Sequence, residues 1–185
     1  MKRVLRITFS SLILAATANS GNAQARSNEP EFANTIVALT KDQKVINLER
    51  QKAQVKTGGN ASLLIVGVGT AKMVGFVKGD SSDVKLAKSD TLTFIARVQD
   101  NSANPNDVIT FAKFQVNSKK HIRYIEIAKS GVLSQAEQGK VEYIKFEGQK
   151  YGNSSYLIKV FNLPHGEYMM TLQESRETAH MFSVK

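Results

Sequence analysis

The residue types best suited to acid–base catalysis are sparse and scattered in this sequence. Its three histidines, His121, His165 and His180, are isolated from one another, and no serine or acid accompanies them at a characteristic spacing. Nucleophilic hydrolysis needs a serine beside a histidine base that a carboxylate holds, and many hydrolases carry that serine in a Gly-x-Ser-x-Gly elbow. This chain has no such elbow. We therefore expect surface or packing roles for the histidines, and we predict that the protein is not an enzyme.

Metal ligands are equally scarce. The chain has no cysteine, and its histidines do not form the closely spaced ligand pairs of a zinc site. Residues 100–107 are the one oxygen-rich segment, in which Asp100 and Asp107 are candidate calcium ligands. The segment lacks the regular acidic alternation of an EF-hand, and Asn, Asp, Ser and Pro dominate ordinary turns for backbone reasons. We therefore favour a plain turn, and we predict neither a metal ion nor a cofactor.

The most basic segment is a candidate binding surface. Residues 117–123 contain Lys119, Lys120 and Arg123 and fall between two predicted strands. Such a turn could dock an anionic glycan or an acidic envelope protein. The alternative is a solvated hairpin tip whose lysines discourage edge-to-edge pairing. Positive charge elsewhere is scattered rather than striped, so we do not expect a nucleic-acid ligand.

Aromatic residues surround residues 147–154, which the sequence suggests are a loop. Tyr143, Phe146 and Tyr156 flank the segment, and Tyr151 lies within it. Exposed rings on the rim of a β-sandwich are a common way to stack on sugars, and Tyr151 is the candidate ligand contact. The alternative is that strand alternation buries these rings, which we favour for Phe146 and Tyr156.

The elements that position these residues are predicted to be β-strands, because the chain shows a two-residue apolar period and no helical one. In residues 91–98 apolar side chains fall at every second position, which indicates a sheet with one buried face. The other strand candidates are residues 35–39, 45–48, 63–68, 72–77, 84–86, 108–116, 121–128, 141–146, 155–161, 167–173 and 180–184. So many strands need two packed sheets or a barrel. We predict an all-β fold, a two-sheet β-sandwich, with an immunoglobulin-like arrangement carrying extra N-terminal strands as one form of it.

The C-terminal third resembles the tyrosine corner of immunoglobulin-like and fibronectin-type sandwiches. Pro164 and Gly166 form a turn, and Tyr168 stands at the start of the following strand. The resemblance implies that the tyrosine hydroxyl bonds back to the backbone across the corner. It implies structural roles for these three residues, with the last three predicted strands closing the sandwich.

The same C-terminal pattern, together with the strand–turn–strand of residues 39–51, is similar to a group of uncharacterised exported bacterial β-sandwich proteins. That resemblance implies a signal peptide and a sandwich, and it implies no activity.

The N-terminus predicts export. Lys2, Arg3 and Arg6 precede a charge-free apolar stretch at residues 7–18, and an Ala-x-Ala site ends at Ala25. This order is typical of a cleavable signal peptide. The apolar stretch is shorter than the roughly 20 residues that span a bilayer. We therefore predict cleavage after Ala25 and no integral membrane anchor.

The remaining chain suits one domain. Residues 26–34 are predicted to be a flexible lead and residues 35–185 a single domain, since no Pro-rich or Gly/Ser-rich linker divides them. The formal charge of +9 falls by three, to +6, when the signal is removed. Export without cysteine is typical of a bacterial envelope protein, so we expect the periplasm, the cell surface or the medium.

Three functions remain open at this point. The first is a non-enzymatic envelope protein that binds a partner or ligand through its loops or a sheet edge. The second is a carbohydrate-binding or carbohydrate-active protein that uses Tyr151. The third is an envelope assembly or chaperone subunit that acts by strand addition.

Overall fold

The computed structural model describes residues 28–59, 70–131 and 134–185, so the predicted signal peptide and the whole predicted strand at residues 63–68 lie outside the described residues. The described residues form sixteen strands and two short helical turns, which confirms the all-β class. The strands are β1 Thr35–Leu39, β2 Val45–Asn47, β3 Glu49–Lys52, β4 Gln54–Gly59, β5 Thr70–Lys78, β6 Lys85–Leu86, β7 Thr91–Arg97, β8 Ile109–Lys113, β9 Gln115–Asn117, β10 Ile122–Gly131, β11 Ser134–Gln138, β12 Glu142–Tyr143, β13 Glu147–Tyr151, β14 Ser155–Phe161, β15 Gly166–Leu172 and β16 Thr178–Val184. Helix α1 is Pro105–Val108, and a 3-10 turn spans Gln173–Ser175.

The strands form three sheets. The first sheet has the order β13-β14-β7-β1-β2, and the second has the order β12-β8-β15-β16-β3. The third sheet has the order β11-β10-β5-β4, with β9 also pairing with β10. The short strand β6 runs parallel to β16, and the other described pairings are antiparallel.

The first and second sheets pack face to face around an aromatic centre. Phe94 of the first sheet lies against Phe182 of the second, with ring centroids 5.0 Å apart. Tyr168 stacks on Phe182 at 5.5 Å, and Phe111 meets Tyr168 edge-on at 6.1 Å. All four rings are buried. Because side chains alternate along each strand, every second residue of β7, β14 and β15 contributes to this core, and together the two sheets form a β-sandwich.

The third sheet covers the other face of the second sheet. Met169 and Met181 point away from the sandwich core and pack in a second apolar cluster with Val77 and Phe114. Strands β15 and β16 are therefore buried on both faces almost throughout. The predicted two-sheet sandwich is present, and the third sheet adds a layer to it.

Several predicted strand boundaries were wrong. The presumed loop at residues 147–154 contains an edge strand, β13, which pairs with β14 from Glu147 to Tyr151. The predicted strand at residues 108–116 is divided at Phe114, where the chain passes from the second sheet to the third. Strands β3 and β4 were not predicted, because their sequences are mostly polar.

Among the described residues, no helix is long and apolar enough to cross a bilayer.

The turn before β15 contains the hydrogen bond that the tyrosine-corner resemblance implies. The Tyr168 hydroxyl donates to the Pro164 carbonyl oxygen at 2.7 Å. Asn162, with φ of 51°, begins the turn, and Leu163 is buried in the sandwich core. Burial, followed by the charge of Glu142, raises the pKa of Tyr168 to about 12, so this hydroxyl keeps its proton at neutral pH.

The described part of the predicted flexible lead lies across the outer face of the first sheet. The Arg97 guanidinium donates to the carbonyl oxygens of Pro30 and Glu31 at 2.7 and 2.9 Å. The Asn34 amide donates to the Arg97 carbonyl at 2.8 Å. Pro30 also lines a small pocket together with Val37 of β1, whose side chain is 1% exposed. Residues 28–34 therefore form a strap over this face.

Candidate functional site

Lys119 and Lys120 lie on the exposed turn between β9 and β10, as predicted. Asn117 builds the turn, since its carbonyl and side-chain oxygens both accept from the Lys120 amide at 3.1 Å. The next residue, His121, places Nδ1 3.2 Å from Asp80 Oδ2. Both side chains of that pair are well exposed, so the contact contributes at most about 1 kcal/mol. The turn presents two ammonium groups to solvent and shares no residue with the groove described below.

Arg123 does not lie on that exposed surface, which corrects its predicted place in a basic patch. In β10 it pairs with Val77, so it points toward the second sheet as Val77 does, and its side chain is fully buried. Its guanidinium donates to the two carboxylate oxygens of Glu49 at 2.9 and 3.3 Å. It also donates to the carbonyl oxygens of Lys78 and Gly79, each at 3.2 Å. These contacts give Arg123 a structural role between the second and third sheets.

A second buried carboxylate completes this ion cluster. Glu167 Oε2 lies 3.7 Å from Arg123 and accepts from the Ser82 amide at 2.8 Å, while Oε1 accepts from Ser183 at 2.6 Å. The Lys85 ammonium donates to the Ser82 carbonyl oxygen and lies 3.4 Å from the Ser183 hydroxyl. Buried charges are costly unless they are paired and hydrogen-bonded, and here each carboxylate oxygen of Glu167 has a partner.

The pKa of Glu49 reports the balance within the cluster. Burial alone raises that pKa, but hydrogen bonds from Arg123, Ser82 and Gln51 and the charge of Arg123 outweigh burial, so the net pKa lies below 4.5. Glu49 is therefore an anion at neutral pH and pairs with the guanidinium as a carboxylate. This makes it unsuited to donating a proton at neutral pH.

In the candidate calcium segment, side-chain oxygens accept hydrogen bonds from backbone amides of the same segment. Asp100 accepts from the Ser102 amide at 3.0 Å and from the Ser102 hydroxyl. Asn104 caps helix α1, since its side chain accepts from the Asn106 amide at 3.0 Å, and Asp107 lies in the first turn of that helix. Among the residues that the structure describes, no group of three or more His, Cys, Asp or Glu side chains could hold a metal ion.

A groove of about 890 Å³ lies at one end of the first sheet. Its floor includes Leu39, Thr93 and Lys159, which are direct neighbours across β1, β7 and β14. Leu157, two residues before Lys159, extends the same face. Ligand pockets commonly have volumes of about 300–1,000 Å³, so the groove is large enough for a small molecule.

Two turns form the walls of the groove. In the turn between β1 and β2, the Thr40 amide donates to the Lys44 carbonyl at 2.9 Å, and the Thr40 hydroxyl accepts from the Lys44 amide at 3.0 Å. Opposite it, residues 87–90 are fixed by two backbone hydrogen bonds, from Lys88 to Lys185 at 3.0 Å and from Asn162 to Asp90 at 2.9 Å. The walls therefore have defined backbone conformations.

Tyr151 lines this groove, although it lies on an edge strand and not in a loop. It pairs with Ser155 and so projects from the outer face of the first sheet, as Leu157 does. Its hydroxyl lies 3.4 Å from the Asn28 amide, at the start of the strap. The residue chosen from the sequence is thus at the site, while the basic residues chosen with it are elsewhere.

The charge of the groove is predominantly positive. Its described lining contains four lysines, at positions 41, 85, 88 and 159, and one acid, Asp90. Lys85 belongs to the buried ion cluster through its ammonium group. Within the described part of the chain, Lys41, Lys88 and Lys159 have no ion-pair partner. The Ser89 hydroxyl, between Lys88 and Asp90, is buried and has no hydrogen-bond partner among the described residues.

The buried histidine lies outside the groove. His180 in β16 is fully buried, and neither ring nitrogen makes a hydrogen bond of normal geometry to the part of the chain that the structure describes. Burial, followed by the charge of Arg50, lowers its pKa to about 4, although the nearby backbone of Met170 and Asn34 acts in the opposite direction. The imidazole is therefore neutral at pH 7, and its place in the interior gives it a packing role.

Sequence reasoning missed the groove because its parts lie far apart in the chain. Lys41 and Lys88 stand in turns, and Lys159 is on the outer face of a strand, where a lysine looks like ordinary solvated surface. Only the pairing of β1 with β7 and of β7 with β14 brings these segments together. The one sequence feature that indicates the groove is the set of lysines next to small polar turn residues, and this feature is too common on protein surfaces to identify a site.

The comparisons with known proteins give no indication of function, so function is inferred from the geometry of the groove. No protein-family model matches this chain, and no curated protein matches it.

Proposed function

We propose that this protein is an exported, non-enzymatic binding protein of the bacterial envelope, and that its ligand occupies the groove at the end of the first sheet. The observation that carries the proposal is the groove itself, which combines leucine side chains with lysines that have no ion-pair partner in the described chain. Ligand sites typically combine such apolar walls with a few placed polar groups. Export is supported by the basic, apolar and Ala-x-Ala segments of the N-terminus.

The lining of the groove favours binding over catalysis. Among its described residues there is one acid, Asp90, and no histidine. Glycoside hydrolysis needs two carboxylates that face one cleft, and acyl transfer by serine needs a neighbouring base. The groove offers lysines, threonines and aliphatic side chains instead. This composition suits holding a ligand.

Carbohydrate binding is the second candidate, and the position of Tyr151 favours it. The ring stands at the side of the groove and could pack on a sugar. It is, however, the one aromatic side chain among the described lining residues, so the groove lacks a row of rings that could follow a polysaccharide. A short or charged saccharide is the form of this candidate that the groove could take.

Strand addition is a weaker candidate. In the first sheet, Glu147 and Lys150 on the edge strand β13 are exposed charged residues, and the opposite edge strand β2 has only three residues. Charged and short edge strands are devices that oppose pairing with another chain.

The test measures binding of a neutral fluorescent probe, N-phenyl-1-naphthylamine, to the protein without its predicted signal peptide. We expect saturable binding of a single probe molecule per chain. Replacing Thr93, in the middle of the floor, by tryptophan fills the groove and should weaken binding by about tenfold or more. The matched control is Thr110→Trp, an exposed position on β8 outside the groove.

Each outcome of this test is informative. Circular dichroism and the unfolding midpoint establish that both variants are folded. Probe binding that is absent in the native protein, or equal in the two tryptophan variants, would remove the groove as the binding site.

A further inference from the structure

We infer that the ligand of this groove is a single-chain amphiphile with one anionic head group. The inference rests on the proposed binding function of the groove and adds the chemical class of the ligand. Two observations carry it: the course of the apolar lining, and the positive charge of the rim, by which we mean Lys41, Lys88 and Lys159.

The apolar lining follows the groove around the end of the first sheet. Leu39 and Leu157 point outward from that sheet, while Leu92 and Leu86 belong to the sandwich interior, and all four line the same groove. Alternate residues of a strand face opposite sides of the sheet, so Leu92 and Thr93 can share one groove only where it passes over the strand ends. Such a path suits a flexible chain better than a compact or planar molecule.

The positive charge of the rim favours an anionic ligand. Lys41, Lys88 and Lys159 come from the two walls and the floor, and none has an ion-pair partner in the described chain. Asp90 is the single acid of the described lining. Several lysines over an apolar, partly enclosed surface create a positive potential that attracts anions and repels cations. An anionic head group would therefore complete this rim.

The experiment measures displacement of N-phenyl-1-naphthylamine by amphiphiles that differ in one feature at a time. Dodecanoate and lauroyl lysophosphatidylglycerol share the tail and a negative charge, and they distinguish a carboxylate from a phosphate head group. Dodecyltrimethylammonium keeps the tail and reverses the charge, while acetate keeps the charge without the tail. We expect at least one anionic amphiphile to displace the probe at a concentration about tenfold lower than the cation, and acetate to have no effect.

A charge variant assigns the effect to the rim. Lys88→Gln with Lys159→Gln should weaken displacement by the anionic amphiphile by about tenfold more than it weakens binding of the neutral probe. The control, Lys119→Gln with Lys120→Gln, removes two exposed lysines outside the groove and should change neither measurement.

The possible failures are distinguishable. If the neutral probe binds in the groove but anionic and cationic amphiphiles displace it equally, the inference about ligand class is wrong and the binding function stands. If acetate binds as well as dodecanoate, the tail is irrelevant and the inference is also wrong. If an acidic peptide such as hexaglutamate displaces the probe and the amphiphiles do not, the ligand is a peptide. If the native protein does not bind the probe at all, the proposed binding function is wrong.

Discussion

The Arg123 guanidinium and the Glu49 carboxylate meet through two hydrogen bonds of 2.9 and 3.3 Å, although 74 residues separate them in the chain. Arg123 comes from β10 of the third sheet and Glu49 from β3 of the second. The pair thus joins the third layer to the sandwich. Removing one partner of a buried ion pair leaves the other charge without compensation, which costs more than the intact pair contributes.

We predict that Arg123→Met lowers the free energy of unfolding by about 3–5 kcal/mol. The substitution keeps an unbranched side chain but leaves the carboxylates of Glu49 and Glu167 without the guanidinium. Urea unfolding followed by circular dichroism gives the measurement. Lys120→Met, in the adjacent exposed turn, is the control and should change stability by no more than about 0.5 kcal/mol. A loss below about 1 kcal/mol for Arg123→Met would show that the cluster does not hold the layers together.

His180 predicts a loss of stability in mild acid. Its folded-state pKa of about 4 lies below the ordinary value of 6.5, so between these values the unfolded chain binds a proton that the folded chain does not. Stability therefore falls as the pH drops from 6.5 toward 4, by about 3 kcal/mol in total. Glu49 adds its own loss only below its ordinary pKa of 4.5. The interval from pH 6.5 to 4.5 therefore isolates the histidine.

The variant that tests this is His180→Leu, which keeps an apolar side chain of similar size and cannot be protonated. Unfolding free energies measured across the interval should then vary much less with pH, whatever the absolute stability of the variant. His165→Gln changes an exposed histidine and should retain the slope of the native protein. An unchanged slope in His180→Leu would assign the acid sensitivity to other groups.

The sandwich could be predicted from sequence because its strands carry a regular alternation. Residues 91–98 and 155–161 show apolar side chains at every second position, and both are strands of the first sheet. The third layer could not be predicted in the same way. Strand β4 is mostly polar, each of its residues from Gln54 to Gly58 is exposed, and its place is set by pairing with β5.

The site was less predictable than the fold for a related reason. Arg123 looked like part of an exposed basic turn, because its partner Glu49 is remote in sequence and only the packing of two sheets brings them together. Tyr151 was chosen on the assumption of a loop and lies on a strand, yet it faces the groove. The chemistry of a side chain follows from its residue type, whereas its exposure depends on which sheet packs against its strand.

The hydrogen bond between Tyr168 and Pro164 predicts a measurable contribution to stability. Tyr168→Phe removes the bond to the Pro164 carbonyl and keeps the ring stacked on Phe182. We expect a loss of about 1 kcal/mol in the free energy of unfolding, the usual value for one such bond. Tyr143→Phe is the control, since that ring is 59% exposed and makes no side-chain hydrogen bond among the described residues. Equal stability of the Tyr168 and Tyr143 variants would deny the corner a stabilising role.

The strap over the first sheet depends on Arg97. Its guanidinium donates to two carbonyl oxygens of the strap, at Pro30 and Glu31. Val37, which lines a pocket together with the strap, is 1% exposed. We predict that Arg97→Met releases the strap, because methionine retains apolar contact but donates no hydrogen bond. Limited proteolysis should then cut between residues 28 and 34 about tenfold faster than in the native protein, since cleavage follows the population of the open form. Arg176→Met, an exposed arginine in the turn after the 3-10 segment, should leave that rate unchanged. If the strap of Arg97→Met is cut no faster, the two hydrogen bonds do not hold it, and apolar contact with Val37 must suffice.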